Sequence, residues 1–188
     1  MTAFITEAFD LPILDWIAGN LGCPLLDKLM PVITALGNGG MVWIAVAVIL
    51  LLSKKHRNTG ISMALALLMG LVVCNLTMKP LFGRIRPFDY QLQHFGKVIP
   101  LLISPPADPS FPSGHTIASF EAAAVLLYRN KKWGIPPLLL AILIAFSRLY
   151  LYVHYPTDVL CSVVLGALFG ILACQLTNLL LRRYKLGD

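Results

Sequence analysis

Charge is what this sequence has least of. Asp, Glu, Lys and Arg together make up 13% of the 188 residues, where a water-soluble domain carries about 25%. That shortage excludes a fully solvated surface. Cysteine chemistry is equally thin. Cys23, Cys74, Cys161 and Cys174 form no CxxC pair, and most of them sit inside apolar runs. This argues against a disulfide framework or a thiolate metal site and leaves small buried hydrophobes. No internal repeat or low-complexity tract is visible, and the length leaves no room for a second domain. Acidic residues are scarcer than basic ones, giving a formal net charge of +6. The basic residues are split among short loops, however, which excludes the continuous stripe of a nucleic-acid-binding protein. Anionic lipid and an anionic substrate remain. The N-terminal MTAFITEAFDLPILDWIAGN lacks a basic n-region and carries Glu7, Asp10 and Asp15, so it does not read as a cleavable signal peptide.

What the chain has instead is long apolar runs, with 57% hydrophobic residues. A membrane-spanning helix needs ~20 such residues, with ~17 as a lower limit. Candidate spans lie at 38–53, 59–78, 114–129, 134–152 and 157–181. The first and third are short, which fits a locally thinned bilayer or a longer true span. Residues 1–36 supply a weaker sixth element, interrupted by Asp10, Asp15, Asp27 and Lys28 and punctuated by Pro12, Pro24 and Pro31. An interfacial amphipathic helix near 4–19 and a short helix near 23–36 are expected there. The predicted fold is an all-α polytopic membrane helical bundle of about six helices. Its expected divisions are an N-terminal element over 1–36, a transmembrane core over 37–182 and a tail over 183–188.

The short loops KKHR (54–57), RNKK (129–132) and RRYK (182–185) concentrate Lys and Arg. The positive-inside rule assigns all three to the cytoplasm. The other face of a multi-pass plasma-membrane protein then receives the loop 79–113 and the turn 153–156. That face also holds Lys79, Arg84, Arg86, Lys97 and Arg148. Cations placed against the trend need another purpose, and binding an anion is the obvious one.

Three stretches fall on this face: KPLFGRIRP (79–87), PSGH (112–115) and SRLYLYVHYPTD (147–158). The order of the spans brings them to one rim. Lys79 is followed after six residues by Arg86-Pro87, and Ser147-Arg148 is followed after five by His154 and after three more by Asp158. With PSGH between them, the chain resembles the type 2 phosphatidic acid phosphatase superfamily, whose three-part signature it matches without departure. That superfamily also includes vanadium haloperoxidases and bacterial acid phosphatases. The resemblance covers roughly residues 35–180.

Elementary chemistry supports the same roles. Lys79 offers a compact charge, and Arg86 and Arg148 can fork onto phosphate oxygens. Ser113 is a natural N-cap, so backbone N–H groups near Gly114 and His115 can face an anion, and Gly114 permits a close approach. Pro156 suits the first position of a helix and sets Asp158 in its first turn. From there the carboxylate can accept a hydrogen bond from one nitrogen of His154 and leave the other free to attack phosphorus. The resemblance implies a covalent phosphohistidine on His154. His115 would protonate the leaving oxygen and later activate water. No metal or other cofactor is expected, because cations supply the charge and the rim shows no carboxylate cluster suited to Mg²⁺.

Other residues divide between function and background. Arg84 either touches substrate or faces solvent. Glu121, inside a span, either handles substrate or is protonated or paired with a neighbouring helix. Lys97 reads as a headgroup anchor, and His56 and His94 as loop residues. Phe82, Phe88, Tyr90, Tyr150 and Tyr152 line a pocket or form the interfacial aromatic belt. The resemblance implies a lipid phosphatase with its site on the extracytoplasmic face. Undecaprenyl diphosphate ranks first as substrate, followed by phosphatidylglycerophosphate or phosphatidic acid. A non-hydrolytic phospholipid-binding transporter is the alternative from another class. The expected partners are the bilayer and a lipid phosphate, with no nucleic acid. The sequence sets no oligomeric state.

Overall fold

The structure is a computed structural model that describes residues 2–185. Among these residues all regular structure is helical. Thr2–Ile5 runs through a π-turn at Thr6–Asp10 into α1 (Leu11–Leu21). Then come α2 (Pro24–Ala35), a 3₁₀ turn at Asn38–Gly40, α3 (Met41–Leu52) and α4 (Arg57–Gly70). The chain continues from α4 as a π-helix over Leu71–Met78 and one further turn, Lys79–Phe82. The remaining helices are α5 (Pro87–Phe95), α6 (Gly114–Arg129), α7 (Lys131–Tyr150) and α8 (Pro156–Lys185).

Local chemistry fixes these boundaries. Proline opens α2, α5 and α8, where its missing N–H is lost at no cost. Asn130 caps α7, its side chain accepting from the N–H groups of Lys132 and Trp133, a standard use of an Asn oxygen.

Among the described residues three stretches are long and apolar enough to cross a membrane, Arg57–Phe95, Lys131–Tyr150 and Pro156–Arg183. Pro24–Ala35 and Asn38–Leu52 reach that length only as a pair, bent by 42°. Of the five runs expected from hydropathy, 59–78, 134–152 and 157–181 fall on these stretches, and the other two form shorter helices. The run 38–53 is a 12-residue helix, α3, and the run 114–129 is the 16-residue helix α6. The bend has a local cause: Gly39 and Gly40 lie at φ 57° and 66°, a left-handed conformation that glycine adopts without strain. The shortness of α6 follows from its place. It packs against α4, α7 and α8 at the centre of the bundle, burying Thr116, Ile117, Ser119, Glu121, Ala122, Ala123 and Val125. A helix walled in by neighbours need not match the bilayer by itself.

The main core gathers Trp43, Met63, Val125, Ile144 and Cys174 from α3, α4, α6, α7 and α8. The outer faces carry exposed Ile49, Leu68, Leu139, Val164 and Leu179, which lipid tolerates and water does not. A second cluster joins Leu11 and Leu14 of α1 to Tyr90 of α5 and to Tyr152 and Tyr155 after α7. The N-terminal helix is thus packed behind the α7–α8 turn. The site-bearing ends of α6, α7 and α8 meet at one end of the bundle. The basic run 129–132 joins the opposite ends of α6 and α7, and the run 54–57 joins α3 to α4.

Candidate active site

The α7–α8 turn sets the geometry. Helix α7 ends at Tyr150, and Tyr152 takes a left-handed φ of 58°. That conformation is strained for a non-glycine residue and persists only where the surroundings enforce it. Here the Tyr152 hydroxyl accepts from Gln91 Nε2 and donates to Asp15 Oδ1, both at 2.9 Å. The reversal delivers His154, 1% exposed, into a cavity of about 390 Å³. Lys79, Arg86, Asp108, His115 and Arg148 line the same cavity.

The two nitrogens of His154 face different partners. Nδ1 lies 3.5 Å from Asp158 Oδ2, and Nε2 lies 3.3 Å from Arg86 Nη1. A guanidinium can only donate, so Nε2 is the accepting nitrogen and the ring proton sits on Nδ1, toward the carboxylate. This is the tautomer a nucleophilic imidazole requires. Burial pushes the pKa of His154 down to about 3, with Arg148 and Arg86 adding to it against the hydrogen bond to Asp158. The ring is therefore uncharged at neutral pH, with its Nε2 lone pair available. The consequence for stability has a definite sign. The unfolded histidine takes up a proton below ~6.5, while the native ring refuses it. Stability should therefore fall as pH drops through this window, by at most roughly 1.4 kcal/mol per pH unit. Denaturant unfolding in detergent, compared between wild type and His154→Gln, should show the steeper loss in the wild type. Parallel profiles would contradict a neutral buried ring.

Asp158 is fully buried and heavily supported. Its Oδ2 accepts from Ser110 Oγ and from the Tyr155 N–H, and its Oδ1 pairs with Arg84. Arg84 reaches further back, to Asp10 Oδ2 at 2.7 Å, Thr157 Oγ1 at 2.8 Å and Thr6 Oγ1 at 3.0 Å, and stacks over Tyr155 at 3.9 Å. Partly buried and outside the lining of the cavity, it anchors the carboxylate behind His154.

Lys79, Arg86 and Arg148 line one cavity. Arg86 is 4% exposed and Arg148 is 3% exposed. Arg148 donates to Thr34 Oγ1 at 2.6 Å, while its Nε is buried without a partner. An unpaired buried donor is costly, and an anion in the cavity would satisfy it. Lys79 and Arg86 share Asp108, which Arg86 contacts through Nη2 at 2.8 Å and, at its carbonyl, through Nε at 2.8 Å. Burial works to raise the pKa of Asp108, but the hydrogen bond and charge of Lys79, joined by Arg86, hold it at about 2. A carboxylate thus sits where two cations meet, so the arrangement is already one that accepts an oxyanion.

Ser113 occupies the N-cap position of α6, as expected, but its side chain does not cap. Its Oγ accepts from Thr116 Oγ1 at 3.0 Å, and its N–H is spent on Ser162 Oγ at 2.9 Å. Gly114 and His115 precede the first α6 N–H with an intrahelical acceptor, Ile117 to Ser113, so their N–H groups are open to an anion.

Glu121 stands apart from the cations. It lines a second cavity of about 550 Å³ between α3, α4 with its π-helix, and α6. Its Oε1 is buried without a partner, and its carboxyl lies so close to Gly70 that any Cβ there would overlap it. Away from Asn75, Lys79, Asp108 and His115 this groove is apolar, and it includes exposed Ile44, Val48, Leu68 and Leu71. The two cavities share Lys79, Asp108, Gly114 and His115. Lys97 pairs with Asp15 at 3.1 Å, and His94 stacks on Tyr90 at 3.9 Å between centroids. Sequence reasoning missed Asp10, Thr34, Asn38, Asp108 and Ser110, whose one signal was polarity in unexpected places.

The PAP2 superfamily model matches residues 59–182. A Sulfolobus acidocaldarius protein named undecaprenyl-diphosphatase is 32% identical over 138 residues, covering 73% of this chain. The match covers 64% of that relative, so this chain spans just under two thirds of its length. Undecaprenyl-diphosphatase BcrC of Bacillus subtilis is 31% identical over 156 residues, covering 83% of this chain and 77% of BcrC. Among solved structures, LpxE of Aquifex aeolicus aligns with a TM-score of 0.75 and 28% identity over 88% of this chain and 94% of LpxE. The PAP2-type phosphatidylglycerolphosphate phosphatase of Bacillus subtilis aligns with a TM-score of 0.73 and 25% identity, over 94% of this chain and 90% of that one. With a family match across the segment that supplies both histidines, and two solved folds that follow nearly the whole chain, this protein belongs to the PAP2 superfamily.

Proposed function

We propose that this protein is an integral membrane lipid phosphatase that converts undecaprenyl diphosphate to undecaprenyl phosphate at the extracytoplasmic face of the plasma membrane. The observation that carries this reading is the junction of a cationic cavity and an apolar groove at Lys79, Gly114 and His115. A molecule with a phosphate head and an apolar tail fills both. The basic loops 54–57 and 129–132, at the far ends of the helices, belong on the cytoplasmic side.

The reaction follows from the contacts. Nε2 of His154 attacks the distal phosphorus, and the bond from that phosphorus to the bridging oxygen breaks. His115, protonated from solvent to the imidazolium as the anionic substrate binds, gives the departing oxygen a proton and becomes neutral. Lys79, Arg86, Arg148 and the first N–H groups of α6 hold the equatorial oxygens, where charge is spread in the transition state. Asp108 yields its place on Lys79 and Arg86 to the phosphate. Asp158 then balances the charge of the phosphorylated imidazole. In the second step His115 takes a proton from water, the water oxygen bonds to phosphorus, and the N–P bond breaks to release inorganic phosphate. The protein's own cations supply the positive charge, so the reaction is metal-independent.

The names of the Sulfolobus and Bacillus relatives favour undecaprenyl diphosphate. The likeness to the phosphatidylglycerolphosphate phosphatase structure keeps phosphatidylglycerophosphate, and with it phosphatidic acid, as the second reading. The purified protein should release phosphate in detergent with EDTA present and should be inhibited by vanadate. Its kcat/KM should be highest for undecaprenyl diphosphate. A higher value for phosphatidylglycerophosphate or phosphatidic acid would establish the second reading. Binding of all three lipids without phosphate release would identify a transporter or carrier instead.

A further inference from the structure

The groups assigned to chemistry all lie within the matched region 59–182, yet three of them are held from outside it. Asp158 is braced through Arg84 by Asp10, Arg148 is held by Thr34, and His115 Nε2 lies 2.9 Å from Asn38 Oδ1. Of these three supports, Asn38 is the one that touches an acid–base group of the proposed reaction. The turn around it is shaped to that contact. A Cβ on Gly37 would lie 2.7 Å from His115 Cδ2 and 3.0 Å from Ile144 Cγ2, so any larger residue would push the imidazole out of place. Gly39 and Gly40 then take left-handed φ angles and lead directly into α3, which leaves Asn38 at the apex of a tight reversal facing the ring.

The polarity of the contact matters. An amide oxygen only accepts, so Nε2 of His115 carries a proton, and Nδ1 is the nitrogen left to exchange one. We propose that Asn38 is a positioning residue for the leaving-group acid: it holds Nε2–H of His115, which takes a second proton from solvent as the anionic substrate binds, so that the imidazolium's Nδ1–H passes to the departing oxygen and leaves the ring neutral. This rests on the phosphatase reading above, in which His115 is that acid. The N-terminal turn thereby becomes part of the catalytic apparatus.

A group that protonates the leaving oxygen matters most when that oxygen is strongly basic. Farnesyl diphosphate and farnesyl phosphate share one tail. Attack on the distal phosphorus of the first expels a weakly basic phosphate ester, whereas attack on the second expels an alkoxide that needs the proton. The full-length protein and its variants would be compared by kcat/KM on both, with folding checked by size exclusion and thermal unfolding in detergent. Asn38→Ala should lose on the order of 10²-fold on the monophosphate and less than tenfold on the diphosphate. Asn38→Asp keeps an accepting oxygen and should recover most of the loss. His115→Ala should show the same selectivity, more strongly. Equal losses on both substrates for Asn38→Ala, with selective loss for His115→Ala, would overturn the role of Asn38 alone. Absence of selectivity in His115→Ala would remove the acid assignment on which it rests. A folded Asn38→Ala variant with wild-type kinetics on both would also overturn the proposal.

Discussion

Replacing His154 with alanine should lower phosphate release by at least about 10⁴-fold on every lipid phosphate, because no other side chain can take over the attack. The nearby hydroxyls are committed: Ser110 Oγ bonds Asp158, and Ser113 Oγ accepts from Thr116. The variant should still fold. Removing the ring leaves Asp158 with Ser110, Arg84 and the Tyr155 N–H, and leaves Arg86 with Asp108 and the Val153 carbonyl. The cost is then that of one lost buried contact and a small void, about 1–3 kcal/mol. Two measurements separate loss of chemistry from loss of fold. Brief acid-free quenching with ³²P-labelled substrate should trap an alkali-stable, acid-labile label on the wild type and none on the variant. Size exclusion in detergent should give the same profile for both. Undiminished phosphate release from the folded variant would remove His154 from the mechanism.

The parts of this site legible in the sequence are those whose partners are near in the chain or whose spacing is fixed by helix geometry. His154 and Asp158 are four residues apart across a helix start, so Pro156 announces their contact. Lys79, Arg86 and Arg148 declare themselves by standing where cations are not expected. What stayed hidden depends on distant pairs. Asp10 reads as a blemish in an apolar run until Arg84, 74 residues away, is seen to need it. Asp108 meets Lys79 across 29 residues, and Asn38 meets His115 across 77. Hydropathy likewise counted 38–53 as a span, since glycine is neutral on such scales and its backbone angles are invisible to them. The π-helix over Leu71–Met78 escaped for a related reason. A wider turn leaves apolar content unchanged while altering which way each side chain faces.

Asp158→Asn should be the second most damaging change, lowering kcat by about 10³–10⁴-fold with little effect on KM. The carboxylate is surrounded by donors: Arg84 on Oδ1, and Ser110, the Tyr155 N–H and His154 Nδ1 on Oδ2. An amide cannot serve this arrangement in either orientation. With its NH₂ toward Arg84 it sets two donors against each other. With its NH₂ toward His154 it requires Nδ1 to accept, which moves the ring proton to Nε2 and removes the attacking lone pair. The phosphate-binding cations are untouched, so substrate binding should persist while chemistry stops. Asp10→Asn provides the internal control. It weakens the support behind Arg84 without touching the imidazole, and Arg84 keeps Asp158, Thr157 and Thr6. Its expected cost is about tenfold, the scale of a single misplaced support. The order of the two effects is the test. If Asp10→Asn is as damaging as Asp158→Asn, the carboxylate of Asp158 acts mainly by holding the fold together. A wide gap between them, with KM unchanged in both, means that it acts by fixing the proton on Nδ1.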